Sequence, residues 1–220
     1  GQMEDQEKEL AFLSSALLFA VFLILLILVS QFNAFSSPVI ILSSVVLSLA
    51  GVFLGIVISR NDFVIIMTMI GIISLAGIVV NNAIVLVDYT NLIRKRKRKE
   101  LGLGTLDLIS NEDFKNAVIE GGRTRLRPVL LTAITTILGL FPLASGLNIN
   151  FFSLVSDWDP QIFFGGDNVI FFKPMSLAII YGLTFATFLT LVVVPIMYYT
   201  IYRFKIWLFN KFNWAVKIEL

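Results

Sequence analysis

The sequence predicts an all-α membrane protein: five transmembrane helices and one short cytoplasmic amphipathic helix. Three observations carry this. Of the 220 residues, 57% are hydrophobic and only 15% are charged, too few to clothe a soluble domain of this size. Five stretches, roughly 10–29, 39–58, 63–87, 128–145 and 174–199, are apolar throughout most of their length, and a spanning helix needs about 20 such residues at 1.5 Å rise each. Finally, 14 of the 17 Lys and Arg residues fall in two segments that five crossings place on one side. Neither Cys nor His occurs, which excludes disulfides, thiol chemistry and the usual zinc or haem ligands.

The elements follow in order. Residues 1–9, "GQMEDQEKE", form a polar lead-in that is acidic where a signal peptide carries a basic n-region. With Gly rather than Met at position 1, the chain is expected to be a piece of a longer protein, or a processed or tagged product. Residues 10–93 hold the first three spans. In the second, Ser44, Ser48, Gly51 and Gly55 recur at helical spacing, with Gly51 and Gly55 forming a GxxxG. Such a stripe predicts close helix packing and no chemistry.

Residues 94–127 form a basic loop that opens with "RKRKRK". Directly after a span, this run reads as a solvated topological anchor touching anionic lipid, and no nucleic-acid partner is expected. The following "TLDLISNEDFKNAVIEGGRTRLRP" predicts the short amphipathic helix. Asn111 is its expected N-cap, Glu112 and Asp113 suit its first turn, and Gly121-Gly122 close it. Pro128 then opens the fourth span, 128–146, as a favoured first helical residue.

The loop 147–173 carries Asp157, Asp159 and Asp167, is rich in aromatics, and is longer than a span connection requires. Its residues suit either the membrane interface or a neighbouring protomer. The fifth span, 174–202, repeats Thr184, Thr187 and Thr190 before a kink expected at Pro195, and a basic tail occupies 203–220. The positive-inside rule puts the basic loop and the tail in the cytoplasm and the N-terminus outside.

Polar residues inside the spans are the functional candidates. In the third span Ser74, Gly77, Asn81 and Asp88 share a face, with Asn82 about 100° around the helix. In the fourth, Arg125, Thr132, Thr135 and Gly139 share another. One intramembrane Asn or Thr is usually interhelical glue, but stripes on three helices suggest a bundle interior and an ion or proton path. Asp88 lies near the cytoplasmic mouth, as a proton exit or as an interfacial carboxylate close to Arg94 and Arg98. Gly77 and Gly139 join Gly51 and Gly55 as packing glycines.

Three segments carry a family resemblance: "GIVVNNAIVLVDY", "AVIEGGRTRLRPVLLTAITTILGLFPLA" and "FATFLTLVVVPIMYY". Together they resemble, collinearly and over most of the chain, the resistance–nodulation–division (RND) efflux permeases of the acriflavine-resistance type. The resemblance implies the last five spans of the second half of such a permease. It implies that the first half, with its paired proton-binding aspartates, and the porter region lie elsewhere. It also implies a proton-driven exporter of drugs or lipophiles in a bacterial inner membrane, with no covalent chemistry and no cofactor beyond the coupling proton. Its partners would be membrane lipid, two further copies in a homotrimer, a periplasmic adaptor and an outer-membrane channel. Within the family's relay, the arginine and threonine of the fourth span fall on Arg125 and Thr132. The lysine position of the third span falls on Asn81, beside Asn82. An amide cannot form an ion pair, so the relay cannot carry over unchanged. Two rivals remain: the related protein-export accessory membrane proteins, and a non-transporting anchor or interaction bundle.

Overall fold

The computed structural model describes residues 2–32, 36–103, 109–159 and 161–212. Five of its helices are long and apolar enough to cross a membrane. They are α1 (Gln2–Phe32), α2 (Ser36–Ser59), α3 (Ile65–Glu100), α4 (Asn111–Ser145) and α6 (Asp167–Phe212). Between α4 and α6 lie strand β1 (Leu147–Ile149), the short helix α5 (Phe151–Ser156) and strand β2 (Ile162–Phe164). The five spans are where the apolar runs predict them.

Helix α6 is the hub, packed on α2, α3 and α4. Small residues make this possible. A Cβ on Gly51 would overlap the Phe185 side chain, and one on Gly55 would overlap Tyr181, so the GxxxG of α2 receives two rings of α6. Gly182 on α6 is filled by Leu75 of α3 and Val52 of α2, which locks three helices at one level. Gly71 meets the Met175 carbonyl, where a Cβ would sit 2.9 Å away. The core, with Ile40, Ile41, Leu75, Val79, Leu86 and Leu183, runs along these seams. Helix α1 lies at the flank against α2 and α3 and turns Phe12, Leu18, Phe19 and Phe22 outward.

The basic segment departs from expectation. Helix α3 does not end at the membrane but continues through "RKRKRK" to Glu100. Lys and Arg are good helix formers, and cations near a helix C-terminus meet the favourable end of its dipole. Left-handed Gly102 (φ 65°) follows the last turn. The predicted amphipathic helix is not a separate element. From Asn111 to Ser145 the chain is one helix of 35 residues, so Gly121-Gly122 do not close it and Pro128 is interior. Its N-cap is Ser110, not Asn111: the Ser110 hydroxyl accepts from the N–H groups of Glu112 and Asp113. Gly121 is small for another reason. There α4 crosses α3, and a Cβ would lie 2.7 Å from Thr90 Oγ1. Residues 104–108 of the predicted loop and 213–220 of the tail lie outside the described residues.

The connection after α4 is folded rather than open. Gly146, left-handed at φ 85°, caps α4, and β1 pairs antiparallel with β2, Leu147 opposite Phe164. Gly165 N–H donates to Gly146 O at 2.8 Å, which ties the hairpin to the end of the helix.

Candidate functional site

The candidate residues lie on adjacent flanks of α3 and α4, and the structure separates them by exposure. Asn82 is buried (7% exposed) and its Oδ1 faces the Thr132 hydroxyl at 3.3 Å. This bond joins the third span to the fourth. The same hydroxyl lies 2.9 Å from the Val129 carbonyl of its own helix. A hydroxyl has one proton to give, so it donates to one of these oxygens at a time. Rotating the Asn82 amide presents its N–H₂ to Thr132 instead and lets both contacts form at once. The pair can therefore pass between two hydrogen-bonded arrangements without moving a helix.

Asn81 is placed differently. Ser74, Gly77, Asn81 and Asp88 all sit on the exposed side of α3, so Asn81 is not enclosed by this bundle. Thr132, Thr135 and Gly139 are exposed beside it on α4. Among the described residues, neither Gly77 nor Gly139 would meet a neighbour within 4 Å if given a Cβ, so there they are not packing contacts. Gly51 and Gly55 are. The side of α3 that carries Leu75, Val79 and Leu86 is packed into the core, while the side that carries Ser74, Gly77, Asn81 and Asp88 is left open.

Arg125 lies seven residues from Thr132, about two helical turns nearer the basic end. Its guanidinium stacks over the Tyr89 ring at 4.3 Å from the ring centre, a cation–π contact. Its Nε is buried without a hydrogen-bond partner among the described residues. Asp88, next to Tyr89, is exposed. Two threonines of α6 bond within their own helix: Thr184 donates to Ile180 O and Thr187 to Leu183 O. Thr187 and Thr190 are buried in the α6 seams.

One cluster escaped the sequence reading. Beyond the spans, Phe114 of α4 is fully buried between Tyr198 and Tyr202 of α6, with ring centres 5.6 and 3.6 Å away. The Tyr198 hydroxyl donates to Asn91 Oδ1 of α3, and the Tyr202 hydroxyl donates to Ile109 O at 2.9 Å. Arg94 is buried in the same place at 5% exposure, so the "RKRKRK" run is not wholly solvated. The signal was present as heptad-like spacing: Asn91, Arg94 and Arg98 share a face of α3, as do Tyr198 and Tyr202 on α6.

Five apolar helices bound by small-residue seams, with one polar flank joined across two of them, are the architecture of a multi-pass membrane protein. Comparison with known sequences gives its family. Residues 1–148 match the AcrB/AcrD/AcrF family, and the chain belongs to it. It is 37% identical over 193 residues to the swarming motility protein SwrC of Bacillus subtilis, covering 88% of this chain and 15% of SwrC. It is 32% identical over 129 residues to protein HelA of Legionella pneumophila, covering 59% of this chain and 9% of HelA. The crystal structure of a heavy metal efflux pump superposes with a TM-score of 0.67 at 27% identity, covering 91% of this chain and 17% of the pump. The chain thus spans less than a fifth of the length of these relatives.

Proposed function

We propose that this chain is the closing five-span portion of a proton-driven RND exporter, and that its α3–α4 polar flank completes a proton relay with spans outside the chain. The observation that supports this is the exposure of Asn81 on a helix whose opposite side is the best buried of the bundle. An amide facing hydrocarbon is expensive, whereas an amide facing a carboxylate pair on a neighbouring helix is satisfied. In this reading Asn81 and Arg125 bias the ionisation of that pair. Asn82 and Thr132 hold α3 and α4 in register and switch their shared hydrogen bond as the pair gains and loses protons. Asp88 is an interfacial carboxylate near the cytoplasmic mouth. The spans carry out no covalent chemistry and need no cofactor but the proton.

The same reading puts the protein in a bacterial inner membrane, with the start of the chain in the periplasm and its end in the cytoplasm. It works as a homotrimer with a periplasmic adaptor and an outer-membrane channel. Drugs or lipophiles are its substrates, chosen by a porter region outside these residues.

The test is transport by the full-length protein at matched expression. Asn81→Ala and Arg125→Ala should each lower proton-coupled efflux, while Lys95→Ala should leave it unchanged. Asn81→Lys adds a cation beside the carboxylates, which lowers their pKa, so the activity profile should move towards acid pH. If Asn81→Ala and Arg125→Ala both export like the parent, the flank is helix glue and the relay reading fails.

A further inference from the structure

The hairpin between α4 and α6 has no part in the relay, yet it turns Trp158, Phe163 and Phe164 outward. Trp158 is 90% exposed, Phe164 75% and Ile162 59%, and Ile170 and Phe171 continue the surface into the first turn and a half of α6. This is not an unstructured loop with stray side chains. β1 and β2 pair, Gly165 N–H ties the hairpin to the end of α4, and Ile170 N–H donates to Gly166 O at 3.0 Å at the start of α6. At the tip, Asp159 Oδ1 accepts from Gln161 N–H at 3.2 Å, and Trp158 holds a left-handed backbone (φ 56°) that only a few per cent of non-glycine residues adopt. A folded element with its rings outward is uphill in water, since each large aromatic leaves roughly 150–250 Å² uncovered. Something apolar covers it.

Position says what. Ile170 and Phe188 are eighteen residues apart, five helical turns, and so share one face of α6; both are exposed. Phe188 is mid-span with apolar neighbours Val192 and Ile196 exposed below it, a face whose composition suits lipid tails. The hairpin continues this apolar band past the end of the span. There the composition changes to Trp and Phe interleaved with Asp157, Asp159, Asp167 and Lys173, the amphipathic mixture that seats at a membrane–water boundary. The polar flank of α3 is different in kind, being apolar nowhere along Ser74, Gly77, Asn81 and Asp88, and it calls for a protein neighbour.

We propose that the β1–α5–β2 hairpin is a membrane-interface anchor, with Trp158, Ile162 and Phe164 seated at the headgroup–acyl boundary of the leaflet on that side. The acidic side chains of the tip stay in water. The anchor would fix the level of α4 relative to α6 in the bilayer, because the hairpin is bonded to the end of one and the start of the other. It rests only on the chain crossing the membrane, so it stands or falls apart from the proton reading.

These 220 residues hold no Cys, which makes single-cysteine labelling direct. In the full-length protein, with any other cysteine replaced, Trp158→Cys, Phe164→Cys and Asp159→Cys are labelled with a bimane fluorophore and reconstituted in phosphatidylcholine–phosphatidylglycerol vesicles. The labels at 158 and 164 are expected to be quenched severalfold more by lipid spin-labelled near the glycerol than by lipid labelled near the chain end, and to be shielded from aqueous iodide. The label at 159 should respond to iodide. Iodide quenching at 158 and 164 without lipid quenching overturns the proposal in favour of a solvated loop. Shielding of both from lipid and iodide overturns it in favour of a protein contact, with a neighbouring protomer or another part of the chain. Val155→Cys, also exposed on α5, repeats the measurement should Trp158→Cys fail to fold.

Discussion

Asn82 and Thr132 illustrate how much one hydrogen bond can decide in a membrane. Thr132→Val removes the hydroxyl and keeps the shape, leaving a buried amide oxygen without its donor. A loss of about 1–3 kcal/mol is expected for such a group, and the lower end applies where lipid-phase partners are found in the unfolded reference. Thermal unfolding of the detergent-solubilised full-length protein reads it. Tyr198→Phe is the sharper test, because Asn91 Oδ1 lies in a buried site between stacked rings. It should lower the midpoint clearly, whereas Tyr199→Phe, on a half-buried residue, should move it little. At this scale the sequence was only partly readable. It marked Asn82, Thr132 and Arg125 as polar groups at membrane depth, but the identity of each partner was hidden. Nothing along the chain tells that Asn82 rather than Asn81 touches Thr132, or that Arg94 alone of six neighbouring cations is buried.

The helices pack through glycines, and adjacent glycines differ in use. Gly121→Ala places a methyl 2.7 Å from Thr90 Oγ1, while Gly122→Ala meets only Pro195 at 4.0 Å. Gly121→Ala should therefore destabilise the protein. Gly122→Ala should be neutral or stabilising by up to about 1 kcal/mol through helix propensity. Combining Gly121→Ala with Thr90→Ala should recover part of the loss, and a melting-temperature double-mutant cycle measures that recovery. By sequence alone the glycine pair reads as a helix end, because Gly commonly ends helices. In a membrane the alternative use, a close crossing, is as common, and only the neighbour's position separates the two. A further small-residue stripe, Ala178, Gly182, Ala186 and Thr190 at four-residue spacing, is buried throughout and was legible by the same rule that marked Gly51 and Gly55.

Across the whole molecule, the charge segregation predicts the orientation. Labelling intact cells with a membrane-impermeant maleimide should modify Asp159→Cys but not Lys97→Cys, and the reverse pattern would invert the topology. The open glycines give a test of what covers the polar flank. Gly77 and Gly139 have empty space around them in this chain, so Gly77→Leu and Gly139→Leu should not destabilise these five spans expressed alone. In the full-length protein both should impair transport if another set of spans packs there, by overlap of the kind that costs about 1–3 kcal/mol in a filled core. Equal tolerance in both settings would mean that lipid covers the flank. The five spans alone should show no proton-coupled export in vesicles, because no carboxylate lies mid-way along any of them.

The number of apolar helices long enough to cross, the stretches they contain and the family were decided by the sequence alone. Hydrocarbon imposes length and apolarity on each span separately, and motifs such as the Arg-x-Arg-Pro stretch at 125–128 are local. The side each polar residue faces, the continuity of α4 through Gly121 and Pro128, and the burial of Arg94 were decided only by the tertiary structure. Helical periodicity states which residues share a face; it does not state what that face meets. In a bilayer an exposed face and a packed face are both apolar, so hydropathy, which separates inside from outside in water, carries no such contrast here, and the neighbouring helix alone supplies it.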